Sequence, residues 1–189
     1  MNLKEAKAYI VEQLRWHLSD TLFYHGLHHT LDVVNAALHI AKLEGVTDAE
    51  QLTLLETAAY YHDSGFVNTY QGHEEASCLI ARVALPEFDY SPEQIDIVCN
   101  MIMATHIPQT PKTHLEQIIC DADLDYLGRA DFELIATSLF NEMKVRNMVS
   151  DIDSWNQVQV QFIGKHNYWT QSAHDLRDAL KQENLKKLL

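Results

Sequence analysis

Apolar residues recur along the chain every three or four positions, which is the spacing of one face of an α-helix. The first stripe consists of Leu3, Ala6, Ile10 and Leu14, and the second of Leu31, Val34, Leu38 and Ala41. Similar stripes surround Leu54, Ile95, Leu115 and Ile135, and the segment from Asp151 to Leu189 supplies one or two more helices. The pattern therefore predicts an all-α protein.

Helix boundary signals divide the pattern into separate helices. Thr47 and Glu50 have the spacing of a capping box, and Ser91-Pro92-Glu93-Gln94 combines an N-cap, a first-turn proline and a capping-box glutamine. Ser64-Gly65 breaks one helix, and Asp131 opens another. Only 6 glycines and 4 prolines occur. Such sparse turn signals favour long helices over a turn-rich β fold.

The length of 189 residues is sufficient for one domain with a complete core. No repeat, low-complexity stretch or linker interrupts the chain, so we expect a single domain over residues 1–189. The pattern is weakest over 145–154, where a small C-terminal subdomain could begin. Apolar helix faces serve cores and interfaces alike, so the pattern leaves the oligomeric state open.

The charge balance narrows the choice of partners. The chain carries 14 Lys and Arg against 27 Asp and Glu, a formal net charge of −13. This surface would repel a nucleic-acid backbone, which argues against a nucleic-acid duplex as partner. It still allows a small anionic substrate in a locally positive pocket.

Cysteine content and hydropathy bear on the compartment. The cysteines are Cys78, Cys99 and Cys120, an odd number without CxxC spacing, which is typical of reduced thiols. The first residues lack the apolar core of a signal peptide, and no apolar stretch approaches the length of a membrane span. We therefore expect a cytoplasmic protein with no membrane segment.

Histidine is over-represented, with 11 in the chain. His62 and Asp63 are adjacent at a predicted helix end, and similar side chains stand at the ends or in the cores of four other predicted helices: His29, His73, His106 and the pair Asp121 and Asp123. Helical bundles build metal sites from one or two ligands on each facing helix. Imidazole with carboxylate suits Mn, Fe, Zn or Ni, and carboxylate also tolerates Mg.

The ordered set His29, His62-Asp63 and Asp123 resembles the signature of the HD-domain metal-dependent phosphohydrolases. The surrounding segments YHGLHHTLDVV, AAYYHDSG and CDADLDYLG support the resemblance, which covers about residues 20–130 and leaves C-terminal helices over 131–189. It implies a compact helical bundle that hydrolyses a nucleotide or another small phosphoester by metal-activated water. The last ligand of the family usually follows an alanine, which favours Asp123 over the alternative Asp121.

The resemblance also bears on the number of ions. Mononuclear members need only the four ligands above, whereas the longer order H…HD…H…H…D of binuclear members also occurs here. In that arrangement Asp63 would bridge two ions and take part in catalysis, while His73 and His106 would hold the second ion. We therefore expect one or two divalent ions. The glycine-tyrosine-proline signature of the cyclic-di-GMP branch is missing, so that substrate is not assigned.

His25 is the candidate general acid. Tyr24-His25 with His29 resembles the YHxxxH segment of cyclic-nucleotide phosphodiesterases, whose first histidine faces the leaving group. The resemblance is partial, because Gly26 stands where that segment commonly has asparagine. The alternative is a structural histidine bonded to a carboxylate. A histidine suits either role.

Other residues have simpler interpretations, and two other functions stay open. Asp121 is expected to orient a ligand histidine, and Glu74 to favour a helix start. The candidate phosphate-binding cations are Arg129, Lys144, Arg146 and Lys165.

The same ligand order also serves HD-fold di-iron oxygenases. A non-catalytic nucleotide- or metal-binding regulatory module is the other alternative.

Overall fold

The computed structural model describes residues 1–189. It contains nine α-helices: α1 Leu3–His17, α2 Leu27–Leu43, α3 Ala49–Tyr61, α4 His73–Ala84, α5 Pro92–Ala104, α6 His114–Asp123, α7 Phe132–Val145, α8 Ile152–Lys165 and α9 Gln171–Leu188. Three short 3₁₀ helices lie at Ser64–Val67, Leu85–Phe88 and Asp125–Gly128. There is no strand, so the prediction of an all-α fold is confirmed. No helix combines the length and the apolar character that crossing a bilayer requires.

The capping box at the start of α5 is confirmed. The Ser91 hydroxyl accepts a bond from the Gln94 backbone N–H at 3.3 Å, and the Gln94 side chain accepts one from the Ser91 N–H at 2.9 Å. A second capping box, between Thr113 and Glu116, opens α6 in the same way. These side chains satisfy backbone donors that have no partner within the helix.

The capping box predicted from Thr47 and Glu50 is wrong. The N-cap of α3 is Asp48, whose carboxylate accepts a bond from the Gln51 N–H at 2.8 Å, and the helix begins at Ala49. Aspartate is among the strongest N-cap residues, and its negative charge is also favourable at the positive end of the helix. The better cap one residue later therefore sets the start of the helix.

The main core lies among the first six helices. Each of them contributes fully buried apolar side chains, for example Ile10, Val33, Leu55, Ala81, Ile102 and Ile118. In α1 the buried face is the predicted stripe, whereas α2 buries Val33 and Ala37 beside Val34 and leaves Leu31 of its predicted stripe 39% exposed. Each helix still directs one apolar face toward the same interior. Tyr168 and Ala173, close to the start of α9, also join this core.

A second, smaller core is formed by the C-terminal part of the chain. It contains Leu127, Phe132, Trp155 and Ile163, together with Tyr24 from the segment that precedes α2. The weak pattern over 145–154 corresponds to the connection between α7 and α8. The two cores meet at the ends of α2 and α6, and the candidate site lies at this boundary.

Helix α9 is fastened to the 3₁₀ turn at Asp125–Gly128. The Asn184 side chain donates to the carbonyl of Leu127 at 3.1 Å, and the Arg177 guanidinium donates to Asp125 at 2.6 Å. A Cβ at Gly128 would overlap the backbone of Arg177, so only glycine permits this approach. The last helix therefore holds the chain segment that directly follows α6.

His166, at the end of α8, packs against the buried Lys181 of α9. The Lys181 ammonium donates to the His166 carbonyl at 3.0 Å and lies 3.5 Å from its Nδ1. Burial and then the Lys181 charge lower the pKa of His166 to about 4, although Asp178 opposes the shift. A histidine in the unfolded chain has a pKa of about 6.5. The resulting stability is complete above that pH and is lost as the pH falls toward 4.

We predict that His166→Gln reduces the loss of stability between pH 6.5 and pH 4.5 by about 1–2 kcal/mol relative to the wild type. Glutamine keeps the backbone carbonyl that Lys181 uses but has no proton to bind. Urea unfolding at several pH values measures the difference. His17→Gln, at an exposed position of α1, is the control. Parallel pH profiles for wild type and His166→Gln would contradict the prediction.

Candidate metal centre

Three predicted ligands converge at the ends of three helices. His29 lies in the first turn of α2, His62 follows the last residue of α3, and Asp123 is the last residue of α6. One donor atom from each lies within 4.8 Å of the others. Both histidines are buried. The helix ends therefore bring residues that are far apart in sequence into one small volume, as the sequence analysis predicts for the first ion.

The distances fit coordination of a common ion. His29 Nε2 lies 3.1 Å from Asp123 Oδ1 and 3.4 Å from Asp63 Oδ2, and His62 Nε2 lies 3.3 Å from Asp63 Oδ2. Donors about 2.1 Å from one first-row metal stand about 3.0–3.4 Å apart in octahedral or tetrahedral geometry. His29, His62 and Asp123 therefore stand at near-coordination spacing, and Asp63 faces both histidines at a similar distance.

Two atoms of the centre are buried without a partner. His62 donates from Nδ1 to the Ala59 carbonyl at 2.9 Å, so in the neutral ring its Nε2 is the atom that can bind a metal ion. This Nε2 and Asp63 Oδ2 are both buried with no hydrogen bond. Buried polar atoms are rarely left unpaired, and a divalent cation would satisfy both. The residues present therefore fit a metal ion with mixed nitrogen and oxygen donors.

The electrostatics of the centre favour positive charge. Burial by itself would raise the pKa of Asp63 and of Asp123, but the surrounding imidazoles outweigh it and hold both pKa values well below the usual range. Burial likewise opposes protonation of His62, yet the same two carboxylates raise its pKa well above the ordinary value. Two ionised carboxylates thus require a cation beside them. A metal ion and the imidazole protons would compete for this position.

A second group of side chains lies beside Oδ1 of Asp63, the carboxylate oxygen that does not face His29 and His62. His73 Nε2 lies 3.5 Å from Asp63 Oδ1 and 3.5 Å from Glu74 Oε1, and His106 Nδ1 lies 3.1 Å from the same Glu74 oxygen. His106 has 53% of its side chain exposed and reaches the centre only through Glu74. His73 therefore joins Asp63 as predicted, whereas His106 is one residue further away.

The interpretation of Glu74 as a helix-start residue is incomplete. It lies in the first turn of α4, but its side chain is only 7% exposed and links His73 to His106. A carboxylate that only favoured the helix dipole would remain in solvent. The sequence feature that could have indicated a role of Glu74 at the centre is its position directly after the candidate ligand His73.

The turn after His62 and Asp63 determines how closely α4 approaches. A Cβ at Gly65 would overlap the carbonyl of His73, so glycine is required for the first turn of α4 to pack here. The Gly65 N–H donates to the Ser77 hydroxyl at 2.8 Å. Phe66 then stacks on the His73 ring, with 3.9 Å between the centroids. The Ser64-Gly65 helix break is thus also what positions His73.

His25 is held by a carboxylate that sequence reasoning missed. Glu142 of α7 is fully buried, and it accepts bonds from His25 Nδ1 at 2.5 Å, from the Tyr24 N–H at 2.8 Å and from the Tyr70 hydroxyl at 3.0 Å. Burial raises the pKa of Glu142, but the bonds from His25 and the backbone outweigh it and lower that pKa. The available signal was an acidic residue on the apolar stripe of Ile135 and Leu139.

Asp121 does not orient a ligand histidine. It is fully buried, and it accepts bonds from the Trp169 and Thr170 N–H groups at 2.8 Å and from the Thr170 hydroxyl at 2.7 Å. Its role is to fix the start of α9, because Thr170 is the N-cap of that helix. Burial raises the pKa of Asp121 although these bonds oppose the shift. The carboxylate of this pair that lies beside His29 is Asp123.

A cavity of about 460 Å³ opens from this centre toward α7 and α8. One part of its wall consists of centre residues, including Asp63, Asp123, His73 and His25. The rest is formed by apolar side chains of the second core, such as Leu139, Trp155, Phe162 and Ile163. We call this space the chamber. It connects the candidate metal centre with the smaller core.

None of the four candidate phosphate-binding cations lines the chamber. Arg129 is paired with Asp32 and Asp131 at 2.6 Å each, and Arg146 stacks over Tyr70. Lys144 and Lys165 border other surface depressions. The expectation that one of them reaches the substrate beside the metal is therefore not met. Nearby carboxylates and aromatic rings hold the two arginines elsewhere.

Comparison with known proteins agrees with this geometry. The family model described as the HD domain matches residues 26–125, more than half of the chain. The chain belongs to the HD domain family. The matched range includes His29, His62, Asp63 and Asp123, and it excludes His25 and the whole of α7, α8 and α9. The match confirms the resemblance to the HD-domain metal-dependent phosphohydrolase superfamily.

Structural comparison extends the likeness to the C-terminal helices. The crystal structure of a Lactobacillus plantarum protein, determined as a structural genomics target, aligns with a TM-score of 0.70 over 98% of this chain and 94% of that chain, at 18% identity. At this identity the likeness shows the fold alone. No curated protein matches the sequence. The helices beyond the HD domain model thus also occur in another solved fold.

The two neighbouring aspartates of α6 should respond differently to amide substitution. We predict that Asp121→Asn leaves the bound metal unchanged but lowers the free energy of unfolding of the metal-free protein by about 1–3 kcal/mol, because a buried charged acceptor is lost. Asp123→Asn should instead lose most of the metal. Elemental analysis of the purified proteins and urea unfolding in chelator provide the two measurements. Metal loss in Asp121→Asn with retention in Asp123→Asn would reverse the assignment.

Proposed function

We propose that this HD domain protein hydrolyses a small phosphoester at a centre of divalent ions. His29, His62, Asp63 and Asp123 would hold the first ion, and the observation that carries the proposal is their convergence around buried atoms without partners. Asp63 also faces His73, so the second ion of the proposal would take Asp63 and His73 as ligands, with Glu74 and His106 beside them. The identity of the metal is left to experiment.

Divalent ions supply two contributions when bound, namely neutralisation of phosphoryl oxygens and a lowered pKa of water. The protein supplies the remaining requirements. The ionised carboxylates of Asp63 and Asp123 keep positive charge in the centre, and the apolar wall of the chamber limits the access of bulk water. In the proposed reaction, water adds to phosphorus as the ester P–O bond breaks, and the products are phosphate and an alcohol.

His25 is proposed to donate the proton that the leaving oxygen takes up. Glu142 accepts from Nδ1, so the other ring nitrogen, Nε2, is free to serve the chamber that His25 lines. Phe66 stacks on the His25 ring at a centroid distance of 4.3 Å, which limits its rotation. This arrangement combines the two alternatives for His25, because the histidine is bonded to a carboxylate and also borders the cavity. A general acid needs this kind of fixed orientation.

The direct test combines metal content with turnover. The wild-type protein, loaded with Mn, Fe, Mg, Zn or Ni, should hydrolyse at least one phosphomonoester, phosphodiester or nucleotide. His62→Ala should lose the first ion and at least 100-fold in activity, because a ligand and its charge balance are removed. His73→Ala should lower the stoichiometry from two ions to one. His39→Ala, on α2 away from the described contacts of the centre, is the control.

The outcomes separate the alternatives. Absence of turnover in a metal-loaded protein would overturn the proposal, and nucleotide binding without turnover would instead support a regulatory module. Iron-specific content with an iron-dependent optical band would support an oxygenase. A wild-type stoichiometry of one ion that His73→Ala leaves unchanged would remove the second ion from the proposal and leave the first.

The pairing of Glu142 with His25 predicts a dependence on the leaving group. Glu142→Gln should lower kcat for an alkyl phosphate by about 10–100-fold, because a poor leaving group needs the proton. The loss for 4-nitrophenyl phosphate should stay within about 3-fold, because nitrophenolate leaves without one. Steady-state kinetics of both esters measure this difference. Glu133→Gln, at an exposed position of α7, is the matched control. An equal loss for both esters would show that Glu142 is only structural.

A further inference from the structure

The wall of the chamber is unusual for a protein that accepts phosphoesters. Of the 20 residues that line it, 13 are hydrophobic, and none is lysine or arginine. The ionisable groups on the wall are acids, histidines and tyrosines that lie at or next to the metal centre, including Asp63, Glu74, Asp123 and His25. Away from that centre the lining is aromatic and aliphatic except for Gln159. Positive charge for a substrate is therefore available only at the centre itself.

Four cations of the C-terminal part of the chain are engaged outside the chamber, while Lys144 and Lys165 border other depressions and do not line it. Arg129 bridges Asp32 and Asp131, Arg177 pairs with Asp125 at 2.6 Å, and Lys181 binds the His166 carbonyl and Asp178. Arg146 donates to the carbonyl of Thr21 at 2.8 Å. A second or third phosphoryl group in the chamber would thus be buried without a counter-charge. Burial of an unpaired charge is strongly unfavourable.

The polar groups in the remote wall are few. Gln159 of α8 is 6% exposed, and its amide nitrogen donates one bond to Asn156 at 3.3 Å, so its second N–H and its amide oxygen are what it can still offer. Most of the surrounding surface comes from Leu139, Trp155, Phe162 and Ile163. The polar edges of a nucleobase would lose water there and find few partners. The volume of about 460 Å³ is within the range of small-molecule sites.

We propose that the substrate is a monoester of a single phosphoryl group with an apolar alcohol, and that the apolar group occupies the chamber between α7 and α8. This inference rests on the proposed phosphohydrolase function and narrows its substrate class. It favours an aromatic or branched aliphatic group about the size of two fused rings over the nucleotides, and it excludes nucleoside triphosphates as good substrates.

The binding test uses phosphonates, which the protein cannot hydrolyse. Titration calorimetry on the metal-loaded protein compares methylphosphonate with 1-naphthylmethylphosphonate. We expect the naphthyl compound to bind about 100-fold more tightly, because it buries apolar surface. Its heat-capacity change on binding should also be the more negative. Equal affinities within about 3-fold would overturn the inference.

Variants locate the apolar group. Asparagine is close in size to leucine, so Leu139→Asn mainly places an unpaired amide in the wall. The ratio of the 1-naphthylmethylphosphonate affinity to the methylphosphonate affinity should therefore fall at least 10-fold. Val158→Lys lies at a half-exposed position of the wall that tolerates a charge, and it should lower the ratio in the same way. Leu134→Asn, a 72% exposed position of α7, is the matched control and should keep the wild-type ratio. An unchanged ratio in both wall variants would place the apolar group elsewhere and overturn the proposal.

Turnover separates this inference from the proposed function. Wild-type kcat/KM for 2-(1-naphthyl)ethyl phosphate should exceed that for ethyl phosphate by about 100-fold, because the two alcohols are similar leaving groups. It should also exceed kcat/KM for a nucleoside triphosphate. Hydrolysis of ethyl phosphate and the triphosphate at comparable or higher efficiency would refute the apolar substrate class and leave the phosphohydrolase intact. If no ester is hydrolysed, the proposed function fails, but the phosphonate titrations still show whether the chamber binds an apolar group.

Discussion

The structure depends on two ionised carboxylates, the buried Asp63 and the largely enclosed Asp123, where the ends of α2, α3 and α6 meet. Two negative charges in a poorly solvated interior are unfavourable unless cations lie beside them. The imidazoles of His29 and His62 meet this requirement in part, at 3.1–3.4 Å from the nearest carboxylate oxygens. Because α2 packs against both other helices, the assembly of the core and the assembly of this charge cluster are the same event. The demand for positive charge at this point is what makes a divalent ion fit.

Two further buried carboxylates, Asp121 and Glu142, join the C-terminal part of the chain to the region of the first six helices. Asp121 holds Trp169 and the N-cap Thr170, directly before α9, through three hydrogen bonds. Glu142 holds the backbone of Tyr24 and the ring of His25. A carboxylate is a strong acceptor for several N–H donors at once, so each acid fixes a short segment firmly. The C-terminal helices therefore do more than cover the bundle. They orient His25 and complete the chamber.

The sequence was sufficient for the features that local periodicity encodes. It predicted the helical class, the cap at Ser91 and helix-end positions for His29 and His62, whereas Asp123 was expected inside a helix and is in fact the last residue of α6. Asp121 shows where local pattern fails, because it lies two residues before Asp123 and thus about 200° around the same helix. One acid faces the centre and the other faces α9, and helical periodicity does not tell which; only the alanine before Asp123, interpreted through the family resemblance, favours Asp123. Glu142 was missed because its partner Tyr24 is 118 positions away, a pairing that only the tertiary fold creates.

The net charge of −13 and the apolar chamber act in the same direction on ligand choice. An acidic surface lowers the local concentration of polyanions and slows their approach, most strongly at low ionic strength. The arginines that could attract phosphates are instead paired with carboxylates, as Arg129 and Arg177 are, so they do not relieve this repulsion near the chamber. A ligand with a small charge meets little electrostatic repulsion on approach, and the burial of its apolar part makes binding more favourable. The negative potential around the protein and the apolar wall of the chamber thus both disfavour polyanionic ligands. The ions in the centre then need to balance only one phosphoryl group.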